Sequence, residues 1–132
     1  MIPLEDLPFF SLAHDSATAG LYATWQGSHG PAATKQGCEL VLQHTRATKS
    51  IKLVNDSLLD QNGWQELTDW IATDYSQQLA SAGMQAIAWV LPRDNAAFYD
   101  TTRVLARIER PVVDVFLDVE AAYAWLQRWP TS

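Results

Sequence analysis

Hydrophobic and polar residues change rhythm along this chain in a way that separates strands from helices. From Phe9 to Ala13 and from Leu21 to Gln26, aromatic and β-preferring residues predict two short strands, divided by Asp15, Ser16 and Gly20. The short polar connection predicts a hairpin. In the second run Leu21, Ala23 and Trp25 alternate with Tyr22, Thr24 and Gln26, so one face goes to a core and the other is partly wet. The first eight residues, interrupted by Pro3, Glu5, Asp6 and Pro8, read as a strand approach or a loose terminus. Gly27 and Gly30 punctuate the second strand, and Pro31 suits a first helical position, where its missing amide hydrogen costs nothing. A helix follows, with Cys38, Val41, Leu42 and Thr45 on its inward stripe and Lys35, Glu39, Gln43 and Arg46 turned outward.

Beyond that helix, Ile51 to Val54 is a compact apolar run bounded by Ser50 and by Asn55, Asp56 and Ser57, the pattern of a buried central strand entering a loop. The Asn55 to Gly63 loop closes on Asn62-Gly63-Trp64-Gln65, an Asx form of the capping box. Trp64, Leu67, Ile71, Tyr75 and Leu79 then recur at helical steps until Gly83, predicting about five turns of amphipathic helix. Ala86 to Leu91 is the next buried strand, stopped by Pro92. Asp94 or Asn95 caps a third helix through Phe98, Val104, Leu105 and Ile108, and Pro111 ends it. Val112, Val113, Val115 and Phe116 form the last strand. Asp118 caps a final helix carrying Ala122, Tyr123, Trp125, Leu126 and Trp129, which Pro130 stops. The expected order is ββαβαβαβα: an α/β single domain over 1–132, with a mixed, mostly parallel five-stranded sheet, an N-terminal hairpin and four helices.

Composition narrows the function. With 48% hydrophobic and 18% charged residues the chain is expected to fold, and no eighteen-residue apolar run predicts a membrane span. Nine Lys and Arg against fifteen Asp and Glu give a net charge of −6, the wrong sign for a nonspecific nucleic-acid or anionic-membrane binder. Cys38 is the single cysteine, so no internal disulfide forms. With no basic n-region at the start, a cytoplasmic setting is expected.

Candidate chemistry is sparse. Cys38 and His44 lie six positions apart on one helix, about 120° around its axis, which fails as a nucleophile and base. Cys38 reads instead as a small buried apolar residue. His14, His29 and His44 fall in separate segments without metal-ligand spacing, so no metal and no cofactor is assigned. Asp56 and Asp60 lie just past the carboxyl end of the central strand, where open α/β sheets place ligands, yet no partnered base or phosphate-binding glycine loop accompanies them. Arg103, Arg107 and Arg110 make a positive stripe on the third helix, read as a solvated face or a mark for a polar partner. Six tryptophans are a stronger anomaly, because Trp is enriched where proteins meet partners or apolar ligands.

Several segments together resemble the STAS-like superfamily, which joins sulfate transporters and anti-sigma-factor antagonists, and especially its small stand-alone bacterial branch. They are Leu21-Tyr22-Ala23-Thr24-Trp25-Gln26-Gly27, Leu53-Val54-Asn55-Asp56, Ala82-Gly83 with Ala88-Trp89-Val90, and Val115-Phe116-Leu117-Asp118 with Glu120-Ala121 and Trp125-Leu126. These are core and capping positions rather than a catalytic signature, so they speak to fold more than to activity. The resemblance implies a regulatory Ser or Thr in the loop after the third strand, where phosphorylation switches partner binding. Ser57 is the nearest match, although Asp56 and Asp60 beside it would repel an added phosphate. The leading expectation is a non-enzymatic interaction module that binds a protein partner or itself through Asp56, Ser57, Asp60, Trp64 and Trp70. The alternatives are an apolar small-molecule or lipid carrier, and after it a small hydrolase or isomerase using Asp56 or Asp60.

Overall fold

The computed structural model describes residues 1–61 and 64–131. Six strands form one sheet in the order in which they occur, β1 (Ile2–Leu7), β2 (Phe10–Asp15), β3 (Gly20–Gly27), β4 (Lys52–Asp60), β5 (Ala86–Val90) and β6 (Val112–Phe116). The first three are antiparallel neighbours, and β3 through β6 run parallel. Helix α1 (Pro31–Thr48) joins β3 to β4, a helical run α2 over 65–81 joins β4 to β5, α3 (Asn95–Arg107) joins β5 to β6, and α4 (Val119–Arg128) follows. The α/β single-domain architecture is the one expected, with one strand more. The added strand is β1, the first residues left open as an approach or loose terminus. An edge strand needs only one hydrogen-bonded neighbour, so Pro3, Glu5 and Asp6 are tolerated there although they disguise the pattern.

Strand order fixes the layers. Each parallel crossover moves one strand in the same direction, so right-handed connections put α1, α2 and α3 on one face of the sheet. The chain then passes to the other face with α4. Two cores result. On the three-helix side Leu21, Ala23, Trp25, Leu53, Ile87 and Trp89 meet Cys38, Val41, Leu42, Ile71, Tyr75, Leu79 and Val104. On the other side Val54, Ala86, Ala88 and Val90 meet Ala122 and Leu126. Strand β5 is buried throughout because it faces helices on both sides, and its large inward residues alternate with small outward ones.

Beyond Val54 the expected loop is strand. β4 continues to Asp60 through a bulge in which Ser57 and Leu58 both stand against Trp25, since Thr24 pairs with Asp56 and Gln26 with Leu59. One extra residue reverses the alternation: Leu59 turns out to solvent and Asp60 turns into the core. The expected cap Asn62 lies outside the described residues. Helix α2 is less regular than its periodicity predicts. It opens as a 3-10 turn (Gln65–Leu67), has one α turn (Thr68–Trp70), widens to a π turn (Ile71–Tyr75) and closes as α-helix (Ser76–Ser81). Hydroxyls compete for its carbonyls: Thr68 Oγ1 donates to Gln65 O at 3.1 Å, Thr73 Oγ1 to Asp69 O at 2.7 Å, and Ser76 Oγ to Ile71 O at 2.5 Å. The other ends behave as read, with Asp94 accepting from Ala97 N, Asp118 accepting from Ala121 N, and Gly83 taking a φ of +107°.

Gly37 shows how closely α1 sits on the sheet. A Cβ there would lie 2.4 Å from Trp25 Cη2 and 3.3 Å from Phe10 Cδ1. The indole cannot swing aside freely, because its Nε1 donates to Asn55 Oδ1 at 2.9 Å and its ring packs on Phe10 with centroids 4.6 Å apart. Gly37→Ala is therefore expected to destabilise by about 1–3 kcal/mol, although alanine favours a helix by about 1 kcal/mol. Urea denaturation checks the sign. A gain in stability would mean that α1 is free to lift off the sheet.

Candidate functional site

The carboxyl ends of β3, β4 and β5 converge beneath α1 and α2, and a cavity of about 40 Å³ lies there. Its walls include Trp25, Leu53, Asn55, Ser57, Ile87 and Trp89 from the sheet, with Cys38, Trp64, Ile71, Tyr75 and Leu79 from the helical side. The lining is mainly aromatic and aliphatic, with a few polar groups placed among them, the usual make-up of a small-molecule site.

Two hydrogen-bonded chains shape this cavity. In the first, Asp60 enters the core at the end of β4, 4% exposed, and its Oδ1 lies 2.7 Å from His29 Nε2 while Oδ2 accepts from Trp64 Nε1 at 3.1 Å. His29 Nδ1 lies 2.6 Å from Thr34 Oγ1, and that hydroxyl reaches Gly30 O at 3.0 Å in the first turn of α1. The single Thr34 proton is directed to the Gly30 carbonyl, which makes His29 Nδ1 the donor to Thr34 and leaves Nε2 and Asp60 to share a proton. Burial pushes the Asp60 carboxyl above its ordinary value, while the hydrogen bond and charge of His29, Gln61 N and Trp64 pull the other way. In the second chain Trp25 Nε1 donates to Asn55 Oδ1, and Asn55 Nδ2 donates to Ser57 Oγ at 3.4 Å. Trp25 also packs on the His29 ring at 5.4 Å, so the two chains support each other.

These groups form a closed network. Both ring nitrogens of His29, both carboxylate oxygens of Asp60, the Thr34 hydroxyl and the Trp64 indole have partners within the network. The Cys38 thiol is pushed up by burial first and then by the charges of Glu39 and Asp60, and so stays protonated. Burial raises the Tyr75 hydroxyl in the same way.

The residues singled out from the sequence divide accordingly. Asp60 and Trp64 are brought together as buried members of one chain, and Ser57 is buried in β4 as a member of the other. Ser57 therefore sits in a strand within the core rather than in the expected loop. Asp56 lies on the opposite face of β4, where Oδ2 accepts from Tyr22 Oη at 2.7 Å and Oδ1 from Leu58 N at 3.2 Å. Asp56 and Asp60 are not brought together as an acid and base. Trp70 stands half-buried outside the cavity, stacked on Tyr75 at 5.5 Å, with Lys35 Nζ 5.4 Å from its ring. His44 bonds Glu5 across α1 and β1 at 2.7 Å, and Arg107 of the exposed arginine stripe pairs with Asp69. Sequence reasoning missed His29, Thr34 and Trp89. A His five residues before Thr, at a helix start, is a faint signal, and its acidic partner lies thirty-one positions away.

Comparison with protein-family models, curated proteins and solved structures returned no match. Among the described residues no group of three or more His, Cys, Asp or Glu is placed to hold a metal ion, and no helix is long and apolar enough to cross a membrane.

Asp60→Asn tests the shared proton. The amide can donate to His29 Nε2 and accept from Trp64, keeping both contacts without a titrating group. Because the folded Asp60 pKa is raised, the folded state keeps that proton to higher pH than the unfolded chain does. Its contribution is complete below about pH 3.9 and is lost as pH rises through the folded value. Denaturation from pH 3.5 to 7 is expected to show wild type losing stability relative to D60N as pH rises. A gap moving in favour of wild type would show a stabilised carboxylate instead.

Proposed function

We propose that this chain is a non-enzymatic binding module of STAS-like type whose ligand is a small, mainly apolar molecule held between the sheet and helices α1 and α2. The observation that carries this reading is the cavity at the carboxyl ends of the parallel strands, with aromatic walls and a polar network whose members already satisfy one another. Such a network holds the shape of the wall. At about 40 Å³ the space suits a compact ligand or one end of a larger one, and a whole acyl chain would require α2 to move outward. The STAS-like part of the reading is supported by the order of elements and by the segments quoted from the sequence.

Native mass spectrometry of freshly purified protein is expected to show a retained non-covalent mass that disappears on denaturation. Cys38→Leu, which enlarges a wall residue into the cavity, is expected to abolish retention while circular dichroism stays unchanged. No retained mass, together with no binding of small apolar probes, would remove this reading.

Self-association is the second reading, favoured by apolar side chains exposed at the same end of the sheet. Leu59 is 59% exposed at the end of β4, Tyr99 70% exposed early in α3, and Leu117 79% exposed just past β6, with Phe98 beside Tyr99. Ser57, Asp60 and Trp64 are buried and would act on a second copy only by supporting this rim. Sedimentation velocity is expected to show a dimer that Tyr99→Glu with Leu117→Glu converts to monomer. A monomeric wild type at high concentration would exclude this reading.

A further inference from the structure

One wall of the cavity carries an unmet hydrogen-bonding demand. Trp89 lies on the inward face of β5, 7% exposed, and its Nε1 is the buried side-chain polar atom that has no hydrogen-bond partner among the described residues. The other two indoles of the same core are matched to carboxylate or amide oxygens, Trp25 to Asn55 and Trp64 to Asp60. A buried N–H left unpaired costs about 1–3 kcal/mol, so its presence in a cavity wall is a demand that an occupant can meet. Ser57, whose Cα lies two positions along β4 from the residue paired with Trp89, also lines the cavity and accepts from Asn55. Its hydroxyl proton is a second donor in the same cavity.

We propose that the cavity selects an uncharged ligand bearing a carbonyl-type acceptor, which takes the Trp89 indole N–H, with the Ser57 hydroxyl as the second donor. This rests on the reading of the cavity as a small-molecule site and adds the chemical class of what enters it. A donor-only group such as an indole N–H requires an acceptor in return. The acceptor is neutral because, among the described residues, no Lys or Arg lines the cavity and His29 is already paired with Asp60 and Thr34, so a ligand carboxylate would be buried without a free counter-charge. The apolar part of the ligand lies against Leu53, Ile71, Leu79, Ile87 and the faces of Trp25 and Tyr75. By the usual measure the volume accommodates about three water molecules, so a small cyclic ketone enters with an outward shift of α2.

Cyclopentanone and cyclopentane form the test pair, one carrying the acceptor and the other sharing its ring. Protein labelled with ¹⁵N in its tryptophans is titrated with each. Cyclopentanone is expected to bind about threefold to tenfold more tightly than cyclopentane and to shift the Trp89 indole resonance downfield, leaving those of Trp25 and Trp64 nearly fixed. Trp89→Phe is expected to make the two affinities equal. Should that variant fold poorly, the wild-type indole shift decides the matter by itself. Equal binding of the two probes with an unmoved Trp89 resonance would overturn the acceptor assignment and leave the cavity as an apolar site, the N–H then being met by solvent. Binding of neither probe would overturn the small-molecule reading and this inference with it.

Discussion

A carboxylate turned into an apolar interior is the constraint on which the upper half of this molecule depends. Asp60 ends β4 pointing into the core, and such a group is tolerated only when its oxygens are matched. His29 comes from the connection between β3 and α1, Thr34 from the first turn of α1, and Trp64 from the approach to α2. One side chain thereby ties the end of a central strand to the starts of two helices. The spacing between sheet and helices at that end follows from these bonds, and so does the cavity.

The bulge in β4 makes this arrangement possible. Without the extra residue opposite Trp25, Leu59 would enter the core and Asp60 would face solvent. The exchange places an apolar side chain outside and a charged one inside, an expensive choice for stability that the network offsets. Local conflicts of this kind tend to mark places selected for something other than folding. Here the conflict is resolved within the protein, because the polar atoms of Asp60 are matched by His29 and Trp64.

Opposite that wall stands the most irregular helix of the fold. The π turn in α2 brings Ile71 and Tyr75 to the cavity, while Trp70 stacks on Tyr75 from outside with Lys35 over the Trp70 ring. The cavity is thus bounded by a fixed sheet side, pinned by Asn55 and Asp60, and by a helix with weakened local hydrogen bonding. Any ligand larger than the present space would be accommodated on the α2 side, where the least backbone order is lost.

Much of this protein was legible in its amino-acid order. The stripe of Cys38, Val41, Leu42 and Thr45 is buried, Asp94 and Asp118 cap their helices, and the alternation through Leu21, Ala23 and Trp25 gives the inward face of β3. Each depends on neighbours within a turn or along a strand, and periodicity reports those directly. The edge strand β1 was obscured because one-sided pairing lets it keep polar residues and a proline. The bulge, the burial of Ser57 and Asp60, and the chain from Thr34 through His29 to Trp64 were settled only by the tertiary structure. Their partners lie up to thirty-one positions apart, and a carboxylate reads as solvated until the fold brings a histidine and an indole against it. Sequence determined which elements exist and which faces they bury. Three-dimensional contact decided which polar groups are matched inside, and left the Trp89 N–H unmatched among the described residues.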